Sequence, residues 1–304
     1  MKLACVLALA VFATSCSSVP ATPATASLDA TTAEATALLQ RYLRIDTTNP
    51  PGNERRAADF LKEIFDREGI ENEIFDQGNH RANILARLRG SGAKRPILLL
   101  HHMDVVPADA ANWQTAPFSG ELRDGYIWGR GATDMKGTAI CHLLTLLLLK
   151  RSGQKLDRDV LFLGTADEEE GSANGVAFMI KNHRDKLGGA ELALTEGESI
   201  SSENQRTLAW YVGAAEKPNL WLRVVATGKS GHASLPIPNG AVEKLIRALG
   251  RILSYEPPPR LTPIVDRFFR DLAKTTPGVL GTALADPAAS LMDARLRSAL
   301  LAEP

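Results

Sequence analysis

The stretch ILLLHHMDVVP, residues 97–107, decides the fold, because four aliphatic residues run directly into two histidines and an aspartate. A continuous apolar run of this length predicts a strand that is covered on both faces of a sheet. Histidine and aspartate side chains cost free energy to bury unless they are paired or bind a metal ion. The stretch therefore predicts a buried strand that delivers polar groups to a site at its carboxyl end.

Helical and strand patterns alternate on both sides of this stretch. Apolar residues at helical spacing predict helices over residues 35–45, 55–70, 137–153 and 175–187. Alternating or continuous apolar runs predict strands over residues 82–90, 95–101, 158–166 and 191–197. The helix over residues 137–153 is apolar nearly all round, which predicts that it is buried. Strands that alternate with helices indicate a layered α/β domain with a mostly parallel sheet.

Three clusters of polar residues follow buried strands of this predicted sheet. HHMD begins after Leu100, DEEEG follows Ala166, and EGE follows Thr195. Ligands in open α/β sheets bind outside the carboxyl ends of the strands. The three clusters are therefore expected to converge on one site.

Composition gives no indication of a nucleic-acid partner, and none is expected. The chain has 304 residues, with 35 Lys and Arg against 35 Asp and Glu, and its formal net charge is zero. The sequence contains no basic run of the kind that binding to a polyanion needs. The glycines of GRGATDMKG are also wrongly spaced for a dinucleotide-binding loop.

The N-terminal segment predicts export. MKLACVLALAVFATSC, residues 1–16, has one early lysine and an apolar stretch that is too short to span a bilayer. Its ATSC ending resembles a bacterial lipoprotein box, in which Cys16 carries the lipid and Ser17 favours the outer membrane; ordinary signal cleavage into the periplasm is the alternative. Residues 17–28 are expected to be a tether. The remaining cysteine, Cys141, is expected to be a small buried thiol.

Individual polar residues of the three clusters have both functional and structural interpretations. His102 and Asp104 point to the same face of a strand, as a metal ligand and the carboxylate that orients it would, or as a hydrogen-bonded core pair. The run from Asp167 to Glu170 is either a solvated acidic turn or a set of carboxylates that needs a cation to offset repulsion.

Three further residues are candidates for the site. Asp134 lies between glycines that allow close backbone approach, although it could equally cap the following helix. Glu196 ends a predicted strand, where an exposed position is the alternative. His232 lies among small residues, where a lone histidine is usually structural.

The chain changes character after the third cluster. Residues 29–215 are expected to form the larger domain, which carries the three polar clusters, and residues 216–304 a second, smaller domain. This second part begins with a predicted strand over residues 219–228, followed by a predicted helix over residues 241–255.

The joint order of the motifs resembles one family. RIDTTNPPGNE, HHMDVVP, PFSGELRDGYIWGRGATDMKG, ADEEEGS, LTEGE and AAEKPNLWLRVVATGKSGHASLP follow one another between about Leu38 and Leu249. The series is similar to the di-zinc peptidases that include aminoacylase, glutamate carboxypeptidase, carnosinase-type dipeptidases, carboxypeptidase S and succinyl-diaminopimelate desuccinylase. Within this family, the motif sequences are most similar to those of the carboxypeptidase S-like branch. The resemblance implies an α/β catalytic domain with an inserted smaller α+β lid or dimerisation domain.

The resemblance also implies roles for the candidate residues. His102 and Glu196 would bind the first zinc ion, Asp134 would bridge both ions and precede a cis peptide bond, and Glu169 would bind the second ion. Asp104 would orient the ring of His102, and Glu168 would be the general base toward a metal-activated water. His232 would polarise the scissile carbonyl, across to the partner's site in a homodimer. Co²⁺ or Mn²⁺ can occupy such ligand sets.

The sequence departs from the family pattern near its end. The family supplies a late histidine to the second zinc ion, and here no histidine follows His232. By this mapping the second ion keeps only Asp134 and Glu169, so the chain is interpreted as truncated at its C-terminus. The expected function is hydrolysis of an amide bond in a small peptide or an N-acyl amino acid. The alternative is an inactive remnant that binds one metal ion or a peptide.

Overall fold

The computed structural model describes residues 28–197, 200–203, 206–210, 212–213, 222–232, 234, 238–255 and 257–302. The predicted export signal with Cys16 lies outside these residues. The chain divides into two compact units, with the boundary after Gly197. The predicted domain boundary at residue 216 stays a prediction. In the part of the chain that the structure describes, no helix combines the length and the apolar character needed to cross a bilayer.

The first unit combines helices and strands, as the sequence predicts, although the two alternate only in its second half. Its helices are α1 (Leu28–Leu43), α2 (Glu54–Arg67), α3 (Lys136–Ser152) and α4 (Val176–Asn182). Its strands are β1 (Glu71–Gly78), β2 (Arg81–Leu88), β3 (Ile97–His102), β4 (Glu121–Arg123), β5 (Tyr126–Trp128), β6 (Val160–Thr165) and β7 (Leu192–Leu194). The predicted helix over residues 175–187 is shorter than expected, because α4 is followed by a 3₁₀ turn at Arg184–Leu187. Strands β1, β4 and β5 were not predicted from the sequence.

Five of these strands form one mixed sheet. The strand order is β1-β2-β6-β3-β7, in which β6, β3 and β7 are parallel neighbours. Strand β2 runs antiparallel to both β1 and β6, so the expectation of a mostly parallel sheet is only partly confirmed. Strand β2 runs in the reverse direction because a tight hairpin joins it to β1, and Asn79 and His80 in this hairpin have φ values of 50° and 64°. Two successive residues with positive φ make the turn type that matches the twist of paired strands.

The parallel part of the sheet brings the polar clusters to one edge. His102 at the end of β3 lies beside Thr165 at the end of β6, and Leu99 of β3 pairs with Leu194 of β7. All three strands therefore point their carboxyl ends in the same direction. The predicted convergence of the three polar clusters is confirmed.

Helix α3 packs one broad face against the core and exposes one stripe. Its buried apolar residues are Ala139, Ile140, Leu143, Leu144, Leu146 and Leu147. Cys141, Thr145 and Leu148 are exposed, and their i, i+4, i+7 spacing places them on one line along the helix. The expectation that Cys141 is buried is therefore wrong, as is the expectation that the helix is buried nearly all round. The stripe faces solvent because only one side of the helix covers the sheet.

The second unit contains a hairpin and several helices. The hairpin pairs β8 (Ile200–Glu203) with β9 (Arg206–Trp210). The helices are α5 (Ala241–Leu253), α6 (Pro263–Ala273), α7 (Gly278–Ala285), α8 (Pro287–Ser290) and α9 (Ala294–Ala302). Helix α5 confirms the predicted helix over residues 241–255. The predicted strand over residues 219–228 is wrong for its described part, residues 222–228, which form no strand and pair with no other described segment.

Truncation of Leu143 tests the assignment of the core face of α3. We expect Leu143→Ala to lower the free energy of unfolding by about 2–5 kcal/mol, because it removes fully buried apolar surface and leaves a cavity. Leu148→Ala is the matched control on the same helix, since Leu148 is 38% exposed and its loss should cost about 0.5 kcal/mol or less. Urea unfolding curves measure both values. Equal destabilisation by the two variants would contradict the assignment.

Candidate metal centre

The ring of His102 lies at the centre of the convergent edge. His102 is the last residue of β3 and is only 2% exposed. Its Nε2 atom is 3.0 Å from Asp134 Oδ1, 3.6 Å from Glu196 Oε2 and 3.9 Å from Glu168 Oε2. The three carboxylates come from three separate segments, before α3, after β7 and after β6. Residues distant in the chain therefore direct oxygen atoms at one imidazole nitrogen.

Asp104 holds the other side of this ring. The Nδ1 atom of His102 lies 2.9 Å from the Asp104 backbone carbonyl and 3.5 Å from its Oδ1. A neutral ring that donates from Nδ1 leaves its lone pair on Nε2, which is the tautomer that a metal ion requires. Burial alone would raise the pKa of Asp104, but its hydrogen bonds with His102 and Asn49 outweigh burial and lower the pKa.

The acidic turn after β6 is fixed by the same carboxylate. The backbone N–H groups of Glu168 and Glu169 each donate to Asp104, at 3.1 Å. The first residue of the turn, Asp167, is buried and has a φ of 66°, in the left-handed region that aspartate tolerates. Glu170 at the end of the run is exposed. The run is therefore an anchored turn at the sheet edge, in which successive carboxylates have different surroundings.

The carboxylates of the turn have perturbed acidity. Partial burial and the neighbouring Asp134 carboxylate raise the pKa of Glu169 to about 7. Burial also raises the pKa of Glu168. Burial of the His102 ring disfavours its charged form and would lower its pKa. The Asp104 and Glu196 carboxylates outweigh this effect and raise the pKa of His102 to about 11. The site thus concentrates negative charge, which a cation would offset.

Two overlapping groups of side chains have the spacing of metal ligands. His102, Asp134 and Glu196 form one group, and His102, Glu168 and Glu169 form the other, with ligand atoms within 4.8 Å of one another in each. Imidazole nitrogen and carboxylate oxygen are donors that Zn²⁺, Co²⁺ and Mn²⁺ accept. These residues fit a divalent ion. The predicted sharing of a second ion by Asp134 and Glu169 stays a prediction.

The segment that carries Asp134 approaches the core closely. The peptide bond between Asp134 and Met135 is cis, as the resemblance implied. Met135 is the N-cap of α3, so the alternative that Asp134 caps this helix is wrong. At Gly131, with a φ of 86°, a Cβ atom would lie 2.7 Å from Val105 Cγ1, which leaves glycine as the residue that fits. The glycine lets the backbone pass close enough to present Asp134 to His102.

His232 lies in the second compact unit. Its exposed ring places Nδ1 2.7 Å from the Ser234 hydroxyl oxygen. The role toward the scissile carbonyl that the resemblance implies stays a prediction. The same holds for lipid attachment at Cys16, which lies outside the described residues.

Sequence reasoning missed a set of polar residues behind the acidic turn. Asn49 and Arg81 were assigned no role, although both contact Asp167. Asn49 lies within the NPPGNE motif, and this motif is the feature of the sequence that could have assigned Asn49 to the site. Arg81 has no comparable signal, because an arginine at the start of a strand usually faces solvent.

The sequence is similar to those of known proteins. The pattern of peptidase family M20/M25/M40 matches residues 98–279. Aminoacylase-1 from Sus scrofa is 34% identical over 220 residues, which are 72% of this chain and 53% of that protein. A probable succinyl-diaminopimelate desuccinylase from Staphylococcus aureus is 35% identical over 212 residues, which are 69% of this chain and 49% of that protein. The chain therefore spans about half the length of the curated relatives it matches.

A solved structure is also similar. It is an M20 family metallo-carboxypeptidase, Sso-CP2 from Sulfolobus solfataricus, with 29% sequence identity and a TM-score of 0.49. The alignment covers 55% of this chain and 38% of the other. The aligned part is thus a little more than half of the chain described here.

Replacement of His102 tests the metal centre directly. We expect His102→Asn to weaken Zn²⁺ binding by at least about 100-fold, because the residue belongs to both ligand groups and loss of an outer-shell partner alone costs 10–100-fold. His80→Asn is the matched control, since His80 is exposed in the β1–β2 turn and asparagine tolerates its positive φ. Calorimetric titration of the metal-free protein measures both affinities. Wild-type affinity in His102→Asn would exclude this centre.

Proposed function

The chain belongs to the peptidase family M20/M25/M40, and from this membership we propose that it is a metal-dependent hydrolase of peptide bonds or N-acyl amino-acid bonds. One observation carries the proposal: Nε2 of the buried His102 faces three carboxylates from three separate segments. The similar proteins named aminoacylase-1 and succinyl-diaminopimelate desuccinylase support an amide bond next to an amino acid as the target. The substrate class is therefore a small peptide or an N-acyl amino acid.

His102, Asp134 and Glu196 are the residues that would hold the first ion, and Glu169 with Asp134 would hold a second. A bound divalent ion supplies Lewis acidity, which acidifies water and polarises a carbonyl oxygen. With the ion in place of the Nε2 proton, the contact with Asp104 would hold the remaining ring proton of His102 on Nδ1 and leave the Nε2 lone pair for the ion. Zn²⁺ is the expected ion, and Co²⁺ or Mn²⁺ are the substitutes that such donors accept.

Glu168 is proposed as the general base. Its carboxylate is half-exposed and lies beside His102, and burial raises its pKa above the ordinary value of a glutamate, which makes it a stronger base. Glu168 would take a proton from the attacking water as the water oxygen bonds to the carbonyl carbon. It would return that proton to the amide nitrogen as the carbon–nitrogen bond breaks, which yields a carboxylic acid and an amine.

His232 is proposed to assist from the second unit. In this proposal its ring donates to the carbonyl oxygen as negative charge develops there, within the site of a partner subunit in a homodimer. Its exposure leaves the ring accessible to such a contact.

Metal or peptide binding without turnover is the second candidate function. The group formed by His102, Glu168 and Glu169 contains one histidine, which it shares with the other group. A site of this composition could hold a single ion and fail to assemble the two-ion arrangement that the resemblance implies. Metal stoichiometry and turnover, measured on the same sample, separate this function from the hydrolase.

Removal of the Glu168 carboxylate tests the proposed base. We expect Glu168→Gln to reduce hydrolysis of dipeptides and N-acetyl amino acids by about 10²–10⁴-fold, because general-base catalysis contributes that much, and to retain bound zinc. Glu170→Gln is the matched control, since Glu170 is exposed and belongs to neither ligand group. Turnover by Glu168→Gln near the control value would refute its role as base. A zinc-loaded wild type without turnover would favour the binding function.

We also propose export and lipid attachment at Cys16, from the ATSC sequence that precedes it. Expression in a bacterial host should yield a membrane-associated protein whose mass lacks residues 1–15 and includes a lipid. Cys16→Ser should abolish the lipid mass and release the protein from the membrane fraction. An unmodified Cys16 in the intact-mass spectrum of the wild type would contradict the proposal.

A further inference from the structure

A buried network of polar side chains lies behind the acidic turn. Its centre is Arg81, the first residue of β2, whose side chain is 15% exposed. One terminal nitrogen, Nη1, donates to Asp167 at 2.8 Å and to Glu54 at 3.0 Å. The other, Nη2, donates to the side-chain oxygen of Asn49 at 2.6 Å and to the Pro51 carbonyl at 2.8 Å. The guanidinium fork thus binds four acceptors at once, which a lysine ammonium could not match in geometry.

Asn49 links this arginine to the metal centre. Because its Oδ1 accepts from Arg81, its amide nitrogen must face the opposite way. That nitrogen donates to Asp104 Oδ2 at 2.8 Å and to Asp167 Oδ1 at 3.2 Å. Arg81 therefore sets the orientation of the amide, and the amide holds the two carboxylates.

The two carboxylates in turn hold the turn that carries Glu168 and Glu169. Asp104 accepts both backbone N–H groups of these residues. Asp167 begins the turn, and its second oxygen accepts the backbone and side-chain N–H groups of Asn174, at 3.0 Å and 2.8 Å. A shift of either aspartate would move both glutamates relative to His102.

The far end of the segment is held separately. Asn83 of β2 is fully buried, accepts the Ala166 N–H at 2.9 Å and donates to the Asn174 carbonyl at 3.0 Å. These contacts fix the flanks of the segment and do not include Asp104. Loss of Arg81 or Asn49 would therefore leave the turn attached but free to change the placement of its carboxylates.

We propose that Arg81 and Asn49 are positioning residues that set the metal affinity and coordination of the site without contacting the ion. The inference rests on the proposed function only in requiring that the site binds a divalent ion. Arg81 and Asn49 would thereby differ from residues whose ion pairs contribute only to the stability of the fold. Their effect on the site passes through Asp104 and Asp167 to the acidic turn.

The test uses metal binding to the whole chain with Zn²⁺ and Co²⁺ as probes. We expect Arg81→Gln to lower the affinity for both ions by about 10–100-fold, which is the usual effect of losing a residue that supports a metal ligand. The visible absorption spectrum of bound Co²⁺ should change as well. Arg81→Lys should lie between this variant and the wild type, because it restores the charge without the fork. A competing chelator gives the affinities.

Arg87→Gln is the matched control. Arg87 lies on the same strand, donates from Nε to Asp159 at 2.6 Å and is 29% exposed. Asp159 directly precedes β6, at the end of that strand opposite the metal centre. The control should lower the unfolding temperature but leave the Zn²⁺ affinity and the Co²⁺ spectrum unchanged.

Arg81→Gln leaves two buried carboxylates without their cation, so it could fail to fold. In that case Asn49→Ala is the variant that tests the proposal, because it removes the link between Arg81 and Asp104 without changing the buried charge. Folded Asn49→Ala and Arg81→Lys proteins with wild-type affinity and spectrum would overturn the inference, and weakened affinity with an altered spectrum would support it. A wild type that binds neither ion would contradict the proposed function instead.

Discussion

The carboxylate of Asp104 is the constraint on which the rest of the site depends. It is fully buried and lies between the ring of His102 and the backbone of the acidic turn. A buried carboxylate that lost these partners would be left with uncompensated charge, at a cost of several kcal/mol. The end of β3 and the turn after β6 therefore cannot move apart independently. One side chain fixes the distance between the histidine and the glutamates that face it.

Sheet topology makes this junction possible. Parallel β3, β6 and β7 bring the polar clusters to one edge, and antiparallel β2 brings the start of its own strand to the same place. Ile84 of β2 pairs with Gly164 of β6, so Arg81, three residues earlier, lies beside Asp167, three residues later. In an all-parallel sheet the beginning of β2 would lie at the opposite edge. The antiparallel hairpin thus supplies the cation behind the turn.

The sequence predicts the parts of this arrangement that depend on local pattern. Apolar runs identify β3 and β6, and the polar residues that follow them identify the edge where a ligand would bind. Strand β1 is not predicted because Phe75 is its one buried residue, and its sequence therefore shows little alternation of apolar and polar residues. Cys141 was misjudged because composition does not show which stripe of an apolar helix faces solvent. The side-chain partners of Arg81 are 27, 32 and 86 residues away in the chain, and only tertiary structure selects them.

The site has a rigid base and an open rim. His102 and Asp104 at the base are buried and hydrogen-bonded, whereas the Asp134 and Glu196 side chains at the rim are 64% and 37% exposed. The base is held by hydrogen bonds within the protein, which fix the positions of its groups. The rim concentrates carboxylates that repel one another and remain accessible from solvent. A divalent ion would therefore complete the rim rather than build the base. The site is open on the side of these exposed carboxylates, since the buried side is filled by the network that holds the turn.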